Sequence, residues 1–377
     1  MAKVLISLLG GQPAPVYMGL VGIKPEQSVI IFSEQSEKNV SLLEREFPEI
    51  VSAKIKLSPT NPIEILSMAN ALVKQYAEDE IYVNISSGTK AWTHIFGYIF
   101  QVLENAHVIY VDQNNVLWDY KDNSNKGVVA FDMKALFRMY GNPIDGHYTP
   151  FADYTTEDQN TLSIIQKARK YDIGIFEKLI NPKVKADAAK LKTFSGQFEV
   201  DGLSSVQWER AIGEQPGWFR INILKRNGKS NEFFSESPHA PQLLFNTAWF
   251  EYKVAVILSH WSNAQEICMN CRFPSRKGVD KNEVDIVVNT GVKLLFVECK
   301  LQIVSPTDID KFRSVVKNYG SMGAKGIFIT DQPINDTCVQ KCEENQLLHF
   351  SLSDKGDNVN RLLFEYIDQN INIINIR

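Results

Sequence analysis

Short apolar runs alternate with amphipathic segments through the first 120 residues, and this alternation constrains the fold more than any other feature of the chain. Strands are expected near residues 3–9, 27–32, 51–57, 80–85 and 107–111, with helices over 13–22, 34–47, 62–77 and 90–104. Asn61-Pro62 supplies a cap and a first position for the third helix. Asn114-Asn115 suits a tight turn into a further strand, Val116–Tyr120. Strand-helix alternation places helices on both faces of a parallel sheet, a Rossmann-like layout. Ligands of such sheets sit beyond the carboxyl ends of the strands. Two loops stand out there. One is Gly10-Gly11-Gln12-Pro13-Ala14-Pro15, where glycines let the backbone approach a ligand; the other is Asn84-Ile85-Ser86-Ser87-Gly88-Thr89-Lys90, directly before a helix. Free amides, hydroxyls and a lysine at a helix start favour a phosphate. The spacing is not that of an ATP-hydrolysing phosphate loop.

The second half carries a different chemistry. Asn282-Glu283-Val284-Asp285-Ile286-Val287-Val288 and Leu294-Leu295-Phe296-Val297-Glu298-Cys299-Lys300 both alternate as half-buried strands do, and Thr290-Gly291 between them suits a hairpin turn. Side chains two apart share a face, so Glu298 pairs with Lys300 and Glu283 with Asp285. Joining the strands brings an Asp, a Glu and a Lys to one sheet edge. Two carboxylates can hold a hard divalent cation, and an ammonium can steady a phosphate or a nucleophilic water. The pattern reads as a metal-dependent phosphodiester-cleaving site. Ser305-Pro306 then starts a helix, and a strand follows from Ala324 to Thr330.

That order, with Asp285, twelve residues and then Glu298-Cys299-Lys300, resembles the core of restriction-endonuclease-like nucleases. Asn84-x-Ser-Ser-Gly-Thr-Lys90 resembles the signature of CARF domains, the Rossmann-like sensors of type III CRISPR systems that bind cyclic oligoadenylates. Together the halves are similar to the CARF-fused ancillary nucleases activated by cyclic tetra-adenylate. The resemblance implies that Gly88, Thr89 and Lys90 hold the ligand's phosphates and riboses. Asn84, Ser86 and Ser87 would shape the pocket, with Gly11 and Gln12 closing over it. It also implies that Asp285 and Glu298 bind Mn²⁺ or Mg²⁺, that Lys300 serves the attacking water, and that Glu251 on a preceding helix joins the metal site. Gln302 shares the strand face of Lys300. The implied protein is an allosteric homodimer cutting single-stranded DNA or RNA in antiviral defence. A cyclic-nucleotide-responsive regulator without cleavage, and a constitutive repair or restriction nuclease, are the alternatives.

Length and composition fit two domains of a soluble α/β protein: 377 residues, net charge −4 and no stretch apolar enough to span a bilayer. Lys3–Leu9 reads as a first strand rather than a secretory leader, so a cytoplasmic location is expected. The acidic excess falls in the first 150 residues and the remainder is balanced, so neither half is a strongly basic nucleic-acid binder. Arg276, Lys277, Lys311, Arg313 and Lys317 can still cluster beside the proposed site. Five cysteines point to reduced thiols; Cys268, Cys271, Cys338 and Cys342 could in principle hold zinc, but packed thiols are expected. The expected domains are 1–148, the sensor, and 149–377, the nuclease with a connector, its core at about 241–350. In between, Lys121–Lys126 reads as a polar turn, 157–179 as a helix, 219–225 as a strand with an Asn227-Gly228 turn, and 231–241 as a polar loop.

Overall fold

The first strand of the chain lies inside a seven-stranded sheet, third from one edge. The computed structural model describes residues 1–144, 146–181, 192–245, 247–273, 282–302, 305–320, 324–353 and 355–371. Strands β1 (Lys3–Leu9), β2 (Gln27–Phe32), β3 (Val51–Lys56), β4 (Glu80–Asn84) and β5 (Ala106–Val111) are parallel; β6 (Val116–Asp119) and β7 (Ser124–Val128) add antiparallel. The spatial order is β3-β2-β1-β4-β5-β6-β7. Helices α1 (Ala14–Ile23), α2 (Glu37–Glu46), α3 (Pro62–Gln75) and α4 (Lys90–Gln101) cross between the parallel strands. The expected Rossmann-like α/β arrangement is therefore present. Chain order reverses at β1, which puts the loops after β1 and β4 side by side at the switch point of the sheet.

A second, six-stranded sheet runs β17-β16-β15-β14-β13-β8. Its antiparallel part is β8 (Thr149–Pro150), β13 (Glu266–Phe273), β14 (Asn282–Asn289) and β15 (Leu294–Lys300). Its parallel part continues from β15 to β16 (Lys325–Thr330) and β17 (Leu348–Ser351). The connections are α10 (Pro306–Tyr319) and α11 (Asp336–Glu344), and α12 (Val359–Ile371) closes the described chain. Helix α9 (Ala248–Ser259) packs on the opposite face, burying Trp249, Phe250 and Tyr252.

Between these sheets in sequence lie α6 (Thr156–Tyr171), α7 (Ile173–Ile180), a four-stranded antiparallel sheet of β9 (Ser195–Val200), β10 (Ser204–Glu209), β11 (Gly217–Leu224) and β12 (Ser230–Ser237), and the short α8 (Ala240–Leu244). Three expectations are corrected here. The 157–179 helix is two helices, because Asp172 accepts the Ile175 amide at 3.1 Å and starts α7 afresh. The 231–241 segment is largely strand β12 (Ser230–Ser237), paired along the whole of β11 (Gly217–Leu224). Its inward positions include Ser235 and Ser237, which bond the buried Thr161 hydroxyl at 2.8 and 3.0 Å, so apolar alternation does not mark it. Strand β7 likewise begins inside the expected Lys121–Lys126 turn; it is polar because it lies at a sheet edge.

Helix α5 (Met133–Met139) joins the two large sheets. Arg138 binds Glu46 of α2, with Nη2 to Oε2 at 2.9 Å. One residue earlier, the Phe137 ring meets Phe273 of β13 edge-on at 5.1 Å and Phe296 of β15 at 6.2 Å. Residues from both sheets consequently form one continuous apolar cluster around α5. All five cysteines are buried and free. Among the described residues no helix is long and apolar enough to cross a membrane.

Candidate functional site

At the switch point the two loops are tied to each other by side chains. The Asn84 amide donates to the Pro15 carbonyl at 3.0 Å, and its Oδ1 accepts both the amide and the hydroxyl of Ser86. Ser87 donates its hydroxyl to the Gln12 carbonyl at 2.5 Å and accepts the Gly10 amide. Thr89 caps α4 by accepting the Trp92 amide and donates to the Pro59 carbonyl at 3.0 Å. Added Cβ atoms would press on Leu8 at Gly88 and collide with the Ser87 carbonyl at Gly10. Asn84, Ser87, Gly88 and Thr89 thus build the loops.

Beside them is a cavity of about 180 Å³ lined by Gln12, Ser86, Tyr110, Asp112, Gln113 and Asn115, with Leu136 and Tyr140 from the α5 side. Of the expected sensor residues, Gln12 and Ser86 line it; Gly11 and Lys90 are exposed. The residues of the β5–β6 turn were not legible as pocket residues. Their one signal was the Asn114-Asn115 turn, whose Asn115 adopts a left-handed φ of 59°.

In the second sheet, Ile286 pairs with Val297, and continuing that antiparallel register places Asp285 opposite Glu298. The ladder stops there. Instead the Asp285 Oδ2 accepts the backbone amide of Cys299 at 2.7 Å, and Lys300 Nζ contacts Glu298 Oε1 at 2.7 Å. The regular face alternation expected along β14 does not hold. Val284 and Val287 both enter the cluster around α5, while Ile286 and Val288 enter the other core. The slip occurs at Asp285, opposite Asn270, whose φ of 52° twists β13.

Glu251 reaches the same place from α9, which Thr247 begins with a left-handed φ of 70°, a costly conformation for a β-branched residue. Burial, reinforced by Glu283 and Glu298 against the opposing Lys300, pushes the Glu251 carboxyl up to about 7. Burial together with Glu298 and Glu251 raises Asp285 well above the usual carboxylate range. Burial works against the Lys300 ammonium, but Glu298 and Asp285 outweigh it and raise its pKa. These residues therefore sense one another as one electrostatic cluster.

A cavity of about 450 Å³ opens from Glu283, Glu298 and Lys300 along α10, where Asp308 and Lys311 line it. Arg313 and Lys317 are exposed on that helix and Gln302 is exposed beyond β15; Arg276 and Lys277 lie outside the described residues. The donor set is all oxygen and carries more negative charge than one ammonium balances, which suits a hard divalent cation. Asp285 and Glu298 would be its ligands, with Glu251 a third. Their oxygens are engaged by Cys299 and Lys300, and the three do not close to within 4.8 Å of one another. Among the described residues, His107, Asp119 and Asp122 are the set that does, but Lys126 already supplies a cation to both carboxylates, at 3.5 and 3.0 Å. The cysteines of β13 and α11 form no such set.

These features define a class: a two-part α/β protein joining a Rossmann-like sheet, with a polar crevice at its switch point, to a mixed sheet with an acidic cluster. Several solved structures share the fold. Can2 from Sulfobacillus thermosulfidooxidans, in complex with cyclic tetra-adenylate, superposes with a TM-score of 0.63 at 14% identity, over 98% of this chain and 99% of that one. Protein VC1899 from Vibrio cholerae gives 0.70 at 13%, over 97% and 98%. A type III CRISPR defence DNA nuclease activated by cyclic oligoadenylate gives 0.61 at 17%, over 98% of this chain and 52% of that one. No family model and no curated protein matches the sequence.

Proposed function

We propose that the chain is a nuclease activated by cyclic tetra-adenylate, dependent on Mn²⁺ or Mg²⁺, that cuts single-stranded DNA or RNA with little sequence preference in type III CRISPR defence. The observation that carries this reading is the electrostatic cluster of Glu251, Asp285, Glu298 and Lys300 on the two central strands of the second sheet and the helix against them. It occurs in a fold shared end to end with a cyclic tetra-adenylate complex and, over this chain's length, with a ligand-activated DNA nuclease.

Asp285 and Glu298 would hold the metal, and Glu251 would add a third carboxylate once it loses its proton. The ion supplies a water of lowered pKa and neutralises charge developing on the phosphate. Lys300, fixed by Glu298, would donate to the attacking water or to a phosphate oxygen. Contacts of this kind fall on the backbone of a substrate and carry no sequence information.

At the other end, Gln12 and Ser86 would meet the ligand in the crevice they line, with the exposed Gly11 and Lys90 joining from outside, and Asn84, Ser87, Gly88 and Thr89 holding the loops. At about 180 Å³ the crevice is below the roughly 300–1,000 Å³ typical of small-molecule pockets. A cyclic tetranucleotide overflows it, which favours two copies of the chain sharing one ligand across a two-fold axis. Activation then requires that the ligand bind the cutting-competent arrangement more tightly than the resting one.

The test is one assay. Purified protein is incubated with labelled single strands of DNA or RNA, with and without Mn²⁺, and with and without cyclic tetra-adenylate. Cutting only when both are present is expected. Ligand binding with no metal-dependent cutting would leave a regulator, and cutting without the ligand would leave a constitutive nuclease.

A further inference from the structure

The middle of the chain forms one wall of a basic groove that begins beside the catalytic strand. A hollow of about 650 Å³ lies among α6, α9 and the end of β16, lined by Arg169, Lys170, Tyr171, Trp249, Lys253 and Asp331. Through Asp172 it adjoins a second hollow of about 460 Å³, where Lys178 of α7 meets Lys225 and Arg226 at the β11–β12 turn. Across the two hollows six cations face only Asp172 and Asp331. Asp172 is engaged in capping α7. Asp331 is shared between Arg169 at 3.0 Å and Lys253 at 3.6 Å, and Glu177 reaches Arg169 at 3.7 Å, so acids remain outnumbered along the groove. The Lys225 ammonium stands 4.0 Å from the centre of the Tyr171 ring and carries the positive charge from one hollow to the next.

The groove is built for a ligand oxygen. Trp249 is 1% exposed, lines the first hollow, and lies under the Arg169 guanidinium at 5.0 Å. Neither the Trp249 indole N–H nor the Arg169 Nε has an acceptor among the described residues. Buried donors without acceptors are destabilising, and two beside one cleft fit an anionic oxygen entering it. The groove borders the strand that carries Glu298: Thr330 pairs with Lys300, and the Asp331 amide donates to the Lys300 carbonyl at 3.2 Å.

We propose that this groove seats a single-stranded nucleic acid. Arg169, Lys253, Lys178, Lys225 and Arg226 meet successive phosphates, and Tyr171 offers a ring to a base. Two hollows in series follow one backbone rather than two, and a basic track with an aromatic platform is how proteins hold single strands. The direction of the strand toward Asp285 rests on the nuclease reading; the binding does not.

The experiment uses the full chain without divalent metal, a fluorescein-labelled oligo(dT) strand and a labelled duplex of equal length, and anisotropy across a KCl series. The Lys225→Gln/Arg226→Gln variant is expected to bind the strand about tenfold more weakly and to lose about 1.4 from the salt slope, at about 0.7 per phosphate. Arg226→Gln alone, at an exposed turn position, is expected to lose about half of that slope change and guards against a folding defect. Trp249→Phe, which removes the N–H and keeps a ring, is expected to weaken binding roughly fivefold, the worth of one hydrogen bond. Lys38→Gln/Lys74→Gln on the first domain is expected to change nothing. Wild-type affinity and slope in the Lys225/Arg226 variant, or equal affinity for the duplex, would overturn the proposal. The two readings separate with Mn²⁺ and activator present. Groove-dependent binding without cutting leaves the groove and removes the nuclease; undiminished cutting by the double variant does the reverse.

Discussion

The side-chain amide of Asn115 donates to the backbone carbonyl of Val292 at 2.7 Å, across 177 positions of sequence. Asn115 lines the switch-point crevice, and Val292 lies in the turn between β14 and β15, the strands that carry Asp285 and Glu298. The same turn accepts the Phe131 amide through Gly291 at 3.2 Å, and Asn289 donates to the Phe131 carbonyl at 3.3 Å. Any displacement of the β5–β6 turn therefore pulls directly on the hairpin that carries Asp285 and Glu298.

Asn115→Asp keeps a residue tolerant of the left-handed backbone and deletes the donor. Ligand-stimulated cutting is expected to fall roughly fivefold or more, within the range of allosteric couplings. Lys90→Ala, at the exposed start of α4, is expected to weaken ligand binding while cutting at saturating ligand persists. Ligand titration of the cleavage rate separates the two. A stimulated rate unchanged in Asn115→Asp would show that the hairpin is not reached through this bond.

Glu298→Gln keeps the side chain's size but removes the charge that holds Lys300. Cutting is expected to drop at least about 10²-fold, with ligand affinity unchanged. Single-turnover cleavage beside calorimetric ligand binding measures both, and a variant that still cuts normally would remove Glu298 from the site.

Glu251 makes stability depend on pH. Its carboxyl holds a proton up to about 7 in the fold but, at its ordinary value of 4.5, loses it much sooner in the unfolded chain. The stability it contributes is complete below 4.5 and is lost as pH rises through about 7. Metal-free protein is thus expected to melt at progressively lower temperature across that window, and Mn²⁺ to restore more stability above it than below. Glu251→Gln is expected to flatten the trend; a melting curve series that keeps its slope in that variant would assign the effect elsewhere.

Neighbouring glycines should behave oppositely. A Cβ at Gly10 collides with the Ser87 carbonyl, whereas the space beside Gly11 is open. Gly10→Ala is expected to cost about 1–3 kcal/mol, and Gly11→Ala to stay within about 0.5 kcal/mol, both read by urea unfolding. Any loss of ligand binding in Gly11→Ala then reports the ligand's own demand for space.

Where apolar period and backbone period agree, the sequence was enough. The parallel strands of the first sheet and the β14–β15 hairpin declare themselves through short runs rich in Val, Ile and Leu and through Thr290-Gly291, where Gly291 has a φ of 81°. Strand β12 was hidden because its buried face carries Ser235 and Ser237, satisfied by Thr161 from a helix far off in sequence. The approach of Glu251 to the carboxylates, and the slip of alternation at Asp285, depend on tertiary packing and on the twist at Asn270, which no local pattern encodes. Asn84, Ser87 and Thr89 were legible as a cluster, but not that their polar atoms are spent on the loops themselves.

Phe137 rests against Phe273 and Phe296 while its helix is anchored on Glu46, so a single short segment belongs to the interior of both halves. Cutting the gene there would leave each fragment with a raw oily wound instead of a finished surface. The two halves must be inherited together, and neither could be borrowed by another protein without taking this joint along.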